Sequence, residues 1–306
     1  MRIGLPDLVS NSYFPAIAAV ELGYMREEGL SIDLELLFPV TDAAHALREG
    51  KLDFLAGAAH APLVAFPDWK GVKLLGALSH NMYWFLVVHA DLDVAYGDLS
   101  ALHDMYIGAA PGVDIGLREL FVQHGVDIAE AKIQIAPVPG TDSPSVSFGV
   151  TAAEALKSGR IDAFWANGMG AEVAVRSGAG KVIVDARRDG PPGSTFTFSA
   201  LMTTDAMIER EPEKVAAAVR ALVRAQKTLR EDPERATAIG QRLFPAMEAT
   251  LIARIIERDL PFYDASISEA AVDGMNDFAR RRGLLNSSSV RYDEVVATQF
   301  AHLWTA

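Results

Sequence analysis

Two segments of this 306-residue chain repeat the same order of residue types about a hundred positions apart. Residues 46–54 and 155–164 each hold a helix end, a glycine, a basic residue, an apolar residue, an aspartate and an apolar run. Gly50 and Gly159 suit a left-handed residue that ends a helix, and each aspartate stands at the polar start of a strand. Because the separation is too long for a solenoid repeat, the pattern predicts two similar α/β lobes, with chance agreement as the alternative.

Short apolar runs alternate with helix-like segments along most of the chain, which is typical of α/β layers with mostly parallel strands. Strands are expected at residues 3–5, 31–38, 52–55, 73–78, 84–88, 105–109, 132–136, 161–165, 181–184 and 195–203. Helices are expected at residues 13–25 and 41–49 and from 111–114 to 124. After residue 203 the pattern is almost entirely helical, so a helical C-terminal tail is predicted.

The composition argues against several classes of function. Forty acidic and 28 basic residues give a formal charge of −12, which opposes binding to nucleic acid or to an anionic membrane. The chain has no cysteine, so thiol nucleophiles, disulfides and cysteine-ligated metals are excluded. The longest apolar stretch, residues 54–66, falls short of the ~20 residues of a spanning helix, so no membrane insertion is expected.

Several motifs in the first three quarters of the chain are similar to those of a known family. They are Tyr13-Phe14-Pro15-Ala16, Glu21-Leu22-Gly23-Tyr24, Glu28-Gly29-Leu30, residues 47–53, residues 154–163 and Glu211-Pro212-Glu213-Lys214-Val215. With them the sequence resembles the type II periplasmic solute-binding proteins, in the branch that serves nitrate, taurine, aliphatic-sulfonate and thiamine-pyrimidine transporters. The likeness runs from residue 1 to about residue 240. These motifs specify the fold well and the ligand poorly.

The resemblance implies a two-lobed α/β fold, with mixed sheets flanked by helices and a ligand cleft between the lobes. The first lobe would be discontinuous, residues 1–88 plus 190–306, and the second would be inserted, residues 89–189. The chain would cross between them near 88–91 and 189–195. The implied function is to bind a small organic solute for an ABC-type importer, with the permease as partner and no cofactor. The resemblance implies a periplasmic location, whereas residues 1–6 read as a strand and no signal peptide is evident, which leaves a cytoplasmic location open.

Ligands of open parallel sheets bind beyond the carboxyl ends of the strands, where helix N-termini point free N–H groups into a crevice. This rule selects seven loops: residues 8–13, 39–42, 57–60, 79–84, 110–115, 140–145 and 165–168.

In the first lobe, the candidate ligand contacts follow two strands. Asn11, Ser12 and Tyr13 come after the first strand, where capping of the next helix is the alternative role for the polar side chains. His60 follows three small residues that allow a ligand close to the backbone, and it is the first choice of polar contact. A purely structural histidine is the alternative, because no second ligand for a metal stands near it.

Aromatic residues occupy matching loops of the two lobes. Asn81, Tyr83 and Trp84 precede the first crossing, and Trp165 and Asn167 take the equivalent place in the second lobe. Aromatic rings that meet across a cleft would suit a flat or apolar ligand. The alternative is that Tyr83 or Trp84 is simply a buried strand aromatic.

The loop at Gly112 and Asp114 opens a helix where sulfonate-binding relatives usually carry serine or threonine. Asp114 would compete with an incoming anion, although a first-turn charge is its commoner role. The seven loops contain no lysine or arginine. We therefore expect a neutral or weakly basic heterocycle, such as a pyrimidine, ahead of a sulfonate, a carboxylate or nitrate.

Two other functions remain open on the same scaffold. One is a cytoplasmic enzyme that acts on a small aromatic or heterocyclic compound, although no catalytic constellation is evident and His60 has no partner carboxylate. Related enzymes that use thiols are disfavoured by the missing cysteine. The other is a cytoplasmic ligand sensor that docks on a protein through residues 246–260 and 267–278.

Overall fold

A computed structural model describes residues 1–138 and 147–305 and folds them around two five-stranded mixed sheets. The strands are β1 (Arg2–Leu5), β2 (Asp33–Leu36), β3 (Phe54–Ala58), β4 (Val72–Ser79), β5 (Phe85–His89), β6 (Tyr106–Ala109), β7 (Gln134–Ala136), β8 (Ala163–Ala166), β9 (Gly180–Asp185) and β10 (Ser199–Thr204). We call the part built around β1–β4 and β10 the first lobe, and the part built around β5–β9 the second lobe. The predicted ligand loop at residues 140–145 lies outside the described residues.

The two sheets have the same internal arrangement. The strand order is β2-β1-β3-β10-β4 in the first and β7-β6-β8-β5-β9 in the second. In each sheet three neighbouring strands are parallel, and the fourth, β10 or β5, runs antiparallel to both of its neighbours. The predicted pair of similar α/β lobes is thereby confirmed.

The helices flank these sheets. They are α1 (Phe14–Glu21), α2 (Tyr24–Glu27), α3 (Val40–Arg48), α4 (Asp114–Gln123), α5 (Phe148–Lys157), α6 (Gly168–Arg176), α7 (Asp205–Arg210), α8 (Pro212–Glu231), α9 (Arg235–Leu243), α10 (Ala246–Asp259), α11 (Glu269–Arg281) and α12 (Tyr292–Val295). The helix predicted over residues 13–25 is divided, because Gly23 adopts a left-handed conformation with φ of 83°. The predicted helical tail is present as α7–α12. No helix in the described ranges combines the length and the apolar content needed to cross a bilayer.

The repeated sequence motif has the same structural role in both lobes. Gly50 and Gly159 follow α3 and α5 with φ values of 69° and 67°, so each takes the left-handed conformation expected after a helix. The carboxylates of Asp53 and Asp162 each accept a backbone N–H at 2.7 Å, the first from the start of β1 and the second from the start of β6. Since β1 and β6 are equivalent strands, chance agreement does not explain the motif.

The chain passes from the first sheet to the second within residues 80–84, between β4 and β5. This is earlier than the predicted crossing at 88–91, and it moves the strand expected at 84–88 from the first lobe to the second. Strands β4 and β5 are both largely buried and apolar, and such runs carry no signal for which sheet they join. The return falls within residues 186–198, which contain the predicted 189–195.

Helices α5 and α6 of the second lobe touch through glycines. A Cβ atom placed on Gly170 would lie 2.7 Å from the backbone of Gly149, a distance that side chains do not tolerate. The backbones of the two helices are therefore in direct contact near their N-termini. Phe148, at the start of α5, and Asn167, which precedes α6, are held on either side of this contact.

Candidate functional site

A small cavity of about 40 Å³ lies between the two lobes. It is bordered by loops beyond the carboxyl ends of β1, β2, β6 and β8 and by the crossing segment, as the rule for parallel sheets predicts. Its lining residues are Pro6, Asp7, Tyr13, Phe38, Val40, Tyr83, Trp84, Ala110, Pro111, Val113, Phe148, Trp165, Ala166 and Asn167. We call it the aromatic cavity, since six of these residues are aromatic.

Aromatic rings from both lobes face each other across this cavity. Phe38, after β2, stacks on Phe148 of α5, with ring centroids 6.3 Å apart and planes inclined by 16°. Trp84 of the crossing segment lies 6.1 Å from Trp165 of β8. Aromatic side chains of both lobes thus meet at this cavity.

Two tyrosines form a further wall of the cavity. The hydroxyls of Tyr13 and Tyr83 are hydrogen bonded at 2.8 Å, and their rings meet edge to face. Burial raises the pKa of both phenols above the usual value, so both stay neutral across the physiological range. Because the two hydroxyls are hydrogen bonded to each other, the tyrosine pair presents mainly ring surface to the cavity.

Asp7 is the one charged side chain among the described residues that line the cavity. It follows β1 and is buried, and its carboxylate accepts hydrogen bonds from the Val9 N–H at 2.8 Å, Ser147 Oγ at 2.9 Å and Asn167 Nδ2 at 3.2 Å. Desolvation raises the pKa of Asp7 to about 6, although the hydrogen bonds from Ser147, Val9 and Asn167 act in the opposite direction. At pH 7 the cavity therefore presents a buried carboxylate.

The amide of Asn167 is held in one orientation. Its Oδ1 caps α6 by accepting the backbone N–H groups of Met169 at 3.1 Å and Gly170 at 3.3 Å. Its Nδ2 is consequently turned towards Asp7. Asn167 belongs to the second lobe and Asp7 to the first, so this hydrogen bond joins the lobes at the edge of the cavity.

The indole N–H of Trp165 lacks a hydrogen-bond acceptor among the described residues. Its side chain is fully buried, and its Nε1 has no hydrogen-bond partner within the described part of the chain. A buried unpaired N–H costs about 1–3 kcal/mol.

Five of the eleven predicted ligand contacts line the cavity: Tyr13, Tyr83, Trp84, Trp165 and Asn167. The other six do not, and the structure gives each of them a different environment.

His60, the first choice of polar contact, lies outside the lining. Its ring is buried, with Nδ1 3.0 Å from Thr197 Oγ1 and Nε2 donating to the Gly112 carbonyl at 3.3 Å. Burial lowers the pKa of His60 to about 4, so the ring is neutral at pH 7. This geometry matches the structural alternative, in which the ring helps to join the lobes.

Asn11 and Ser12 are fully buried and also lie outside the lining. The capping alternative for them is wrong, because α1 has no side-chain cap at its N-terminus. Asn11 Nδ2 donates instead to Asp259, and the Ser12 carbonyl accepts from Ser199 Oγ at 2.9 Å. These hydrogen bonds attach the loop after β1 to the end of α10 and to β10.

The last three predicted contacts are peripheral. Asn81 is exposed, with a φ of 59°, and donates to the Arg187 carbonyl at 3.4 Å. Gly112 has a φ of 81° and lies against Thr41 of the first lobe, so a side chain would be strained there. Asp114 accepts from the Gly112 N–H and from Arg118, which is the expected first-turn role.

The sequence prediction missed four lining residues that lie just beyond predicted loops. Pro6 and Asp7 precede loop 8–13, Phe38 directly precedes loop 39–42, and Phe148 follows loop 140–145 by three residues. The rule for strand ends selected loops that border this cavity, and the missing signal was the strand boundary, which sequence patterns fix only to within a few residues.

Ion pairs join the two lobes outside the cavity. Glu119 of α4 is buried in the second lobe, and its carboxylate contacts Arg281 Nε of α11 at 2.5 Å and Arg282 at 3.6 Å. Arg258 of α10 lies 3.9 Å from Glu172 of α6. These contacts tie α10, α11 and Arg282 to the second lobe.

A buried charge cluster lies where the chain returns to the first lobe. Asp259, at the end of α10, pairs with Arg187 at 2.8 Å and with Arg188 at 2.7 Å. Burial alone would raise the pKa of Asp259, but the positive charges of Arg187, Arg258 and Arg188 outweigh it and hold the pKa below the usual value. The carboxylate therefore remains ionised and ties the return segment to α10.

Two similar α/β lobes joined by two crossings, with a cavity between them, define the class of type II periplasmic binding proteins. A family model described as NMT1/THI5 like matches residues 10–236, and the chain belongs to that family. A search of curated protein sequences finds no match.

Many solved structures share this fold, although at low sequence identity. A protein from Bordetella bronchiseptica RB50 is 18% identical with a TM-score of 0.78, covering 98% of this chain and 95% of that one. The periplasmic aliphatic sulphonate binding protein SsuA from Escherichia coli is 15% identical with a TM-score of 0.71, covering 97% and 91%. The periplasmic nitrate-binding protein NrtA from Synechocystis PCC 6803 is 14% identical with a TM-score of 0.70, covering 99% and 86%. At these identities the likeness concerns the fold.

Proposed function

We propose that this protein binds a flat, weakly basic heterocycle between its lobes and delivers it to an ABC-type importer. The observation that carries the proposal is the composition of the aromatic cavity. Its described lining combines six aromatic side chains with a single charged group, the carboxylate of Asp7, and has no lysine or arginine. Rings provide contact area for a planar molecule, and a buried carboxylate favours a ligand that donates hydrogen bonds or carries positive charge.

The polar groups favour a particular ligand chemistry. Asp7 is an acceptor for an amino group or a protonated ring nitrogen, and the unpaired Nε1 of Trp165 is a donor for a second ring nitrogen. An aminopyrimidine carries both functions on one flat ring. A sulfonate or nitrate would meet a carboxylate and no described cation in the lining, so these anions are expected to bind poorly.

Binding would act on the equilibrium between open and closed lobes. A molecule that touches Phe38 in the first lobe and Phe148 in the second makes both contacts only when the lobes are closed. Such a ligand favours the closed state by its difference in affinity for the two states. The closed form would then be the form that a permease recognises.

The proposed partner and location follow from proteins of the same fold. A solved structure from Staphylococcus aureus is described as the ligand-binding component of an ABC-type import system, and SsuA and NrtA are described as periplasmic. We extend these properties to this chain as part of the proposal, with the periplasm as the location and an ABC permease as the partner.

A calorimetric titration of the purified protein against a small panel tests the proposal. The panel contains 4-aminopyrimidine, unsubstituted pyrimidine, benzoate, an alkanesulfonate and nitrate. We expect saturable one-to-one binding of 4-aminopyrimidine, weaker binding of pyrimidine, and no binding of the anions. Tight binding of an anion without binding of the heterocycles would contradict the proposal. Turnover of the bound compound would favour the alternative of an enzyme, with Asp7 as an acid or base near pH 6.

A further inference from the structure

A second and larger cavity adjoins the aromatic cavity at Asp7. Its volume is about 320 Å³, and Asp7 lines both cavities. Its lining residues are Asp7, Leu8, Val9, Leu36, Ser147, Val150, Leu243 and Pro245. We call it the aliphatic cavity, because apart from Asp7 and Ser147 the described lining consists of aliphatic side chains and proline.

The volumes of the two cavities argue that the aromatic cavity does not hold the whole ligand. Binding sites for small molecules usually measure about 300–1,000 Å³, and a dry apolar cavity of roughly 150 Å³ is enough for benzene. The aromatic cavity, at about 40 Å³, is well below both values, so a ring enters it only as the facing aromatic side chains of the two lobes move apart. The aliphatic cavity already reaches the lower end of the usual range. In the closed protein most of the space available to a ligand is therefore on the aliphatic side of Asp7.

The aliphatic cavity also lies between the lobes. Leu36 and Leu243 reach it from the first lobe and its tail, and Ser147 and Val150 reach it from α5 and the residue before it. Ser147 donates to Asp7 at 2.9 Å, so the carboxylate marks the passage from one cavity to the other. A group that filled this space would contact both lobes and stabilise closure, as a ring in the aromatic cavity does.

We infer that the solute has two parts, a flat nitrogen heterocycle in the aromatic cavity and an apolar substituent in the aliphatic cavity, with Asp7 bound to an N–H at their junction. This inference rests on the proposed function and narrows its substrate class to alkyl-substituted amino-heterocycles. The described lining of the aliphatic cavity contains no lysine or arginine to pair with an acidic tail, so the substituent is uncharged. Leu8, Leu36, Val150 and Leu243 supply the aliphatic surface that it would bury.

A homologous ligand series tests the inference by calorimetry. It consists of 4-aminopyrimidine and its 2-methyl, 2-propyl and 2-hexyl derivatives. Each buried methylene is expected to tighten binding roughly four-fold, until the cavity is full. Binding of 4-aminopyrimidine with no gain along the series would overturn the inference and leave the proposed function standing. Failure of every member to bind would overturn both.

Variants of Leu243 test whether the increase in affinity along the alkyl series comes from the aliphatic cavity. Leu243→Trp fills the space, so the gain from propyl and hexyl groups should disappear. Leu92→Trp, at a partly buried leucine that lines neither cavity, is the matched control and should keep the full gain. If Leu243→Trp does not fold, Leu243→Ala serves instead, since the enlarged cavity should move the optimum to a longer chain. An undiminished gain in Leu243→Trp, or an unchanged optimum in Leu243→Ala, would overturn the assignment.

Discussion

The amide of Asn167 donates a hydrogen bond to the carboxylate of Asp7 at 3.2 Å, and the two residues belong to different lobes. The same amide caps α6 through its oxygen, so its direction is fixed by the fold of the second lobe. The charge of the site is thus positioned by both lobes together. Removing the Asp7 carboxylate, protonating it, or loosening the contacts between the lobes should each change ligand affinity or folding stability.

Replacing Asp7 with asparagine should weaken binding of 4-aminopyrimidine at pH 8 by roughly 10- to 100-fold. A hydrogen bond to a charged group contributes about 1.5–3 kcal/mol, and the variant removes the charge while it keeps the size of the side chain. Titration calorimetry gives the affinities. Asp114→Asn is the matched control, because Asp114 bonds to Arg118 outside the cavity lining and its loss should leave affinity within two-fold. Equal affinities of wild type and Asp7→Asn would contradict the role of the carboxylate.

Ligand affinity should depend on pH through Asp7. Its pKa of about 6 in the free protein means that the carboxylate takes up a proton as pH falls below 6, and the acceptor for the ligand N–H is lost. Between pH 7.5 and pH 5, affinity should fall by roughly ten-fold beyond the change caused by titration of the ligand itself. The Asp7→Asn variant should lack this additional fall. An additional fall of the same size in the variant would assign the effect to another group.

Folding stability should show the opposite dependence on pH. The folded-state pKa of Asp7 lies above the unfolded value of about 3.8, so the folded state holds this proton more tightly than the unfolded state. The contribution of Asp7 to the free energy of unfolding is fully present below pH 3.8 and is lost as pH rises through 6. Its size is about 2–3 kcal/mol, from two pKa units at about 1.4 kcal/mol each. Urea denaturation of wild type and Asp7→Asn across this range measures the difference, and parallel curves would contradict the shift.

Replacing Trp165 with phenylalanine should weaken binding of 4-aminopyrimidine by roughly two- to ten-fold. The variant keeps an aromatic ring near Trp84 and removes the Nε1 donor, which is worth about 0.5–1.5 kcal/mol when an acceptor is present. Trp304→Phe is the same substitution away from the cavity, where the indole donates to the Leu75 carbonyl, and should leave affinity unchanged. Identical affinities for both variants would mean that the ligand does not use the Trp165 donor.

Replacing Arg281 with alanine should loosen the closed arrangement of the lobes. Buried Glu119 would lose its nearest partner, but Arg282 and the exposure of Arg281 moderate the cost to about 1–2 kcal/mol. The melting temperature should fall by roughly 2–5 °C, and ligand affinity by up to about ten-fold. Arg235→Ala removes an exposed pair with Asp232 and should change neither quantity measurably. A lower melting temperature with full affinity would show that this pair stabilises the fold without affecting closure.

Replacing Asp259 with asparagine should be strongly destabilising. Arg187 is as buried as Asp259 and would be left without a counter-charge, a situation that typically costs about 3–5 kcal/mol. The free energy of unfolding from urea denaturation measures the loss. Asp277→Asn, at an exposed carboxylate paired with Arg280, should cost less than about 0.5 kcal/mol. Comparable small losses in both variants would mean that the buried cluster contributes little.

The sequence was sufficient to predict the two lobes because the signal for them is local. Gly50 and Gly159 end helices through their own backbone conformation, and the aspartate three positions later binds the start of a neighbouring strand in each lobe. Such features depend on a few consecutive residues. A local pattern of this kind can therefore be recognised before any tertiary contact is known.

The site was only partly predictable because its contacts are between distant residues. Asp7 and Asn167 are 160 positions apart, and no property of either segment indicates that they meet. His60 stands in a loop of the kind that binds ligands, but its direction depends on Thr197 and Gly112, which come from two other parts of the chain. Sequence patterns identify the loops at strand ends, whereas the direction of a side chain is set by packing.

The contact between Gly149 and Gly170 has a consequence for how specificity can change. With no side chain between the two helices, α5 and α6 are already as close as their backbones allow, and a single added methyl group would meet backbone. The distance between Phe148, at the start of α5, and Asn167, which precedes α6, is therefore fixed by this contact between the helices. In this protein a change of ligand would therefore require exchange of residues at the starts of these helices, whereas the distance between the two helix starts would stay the same.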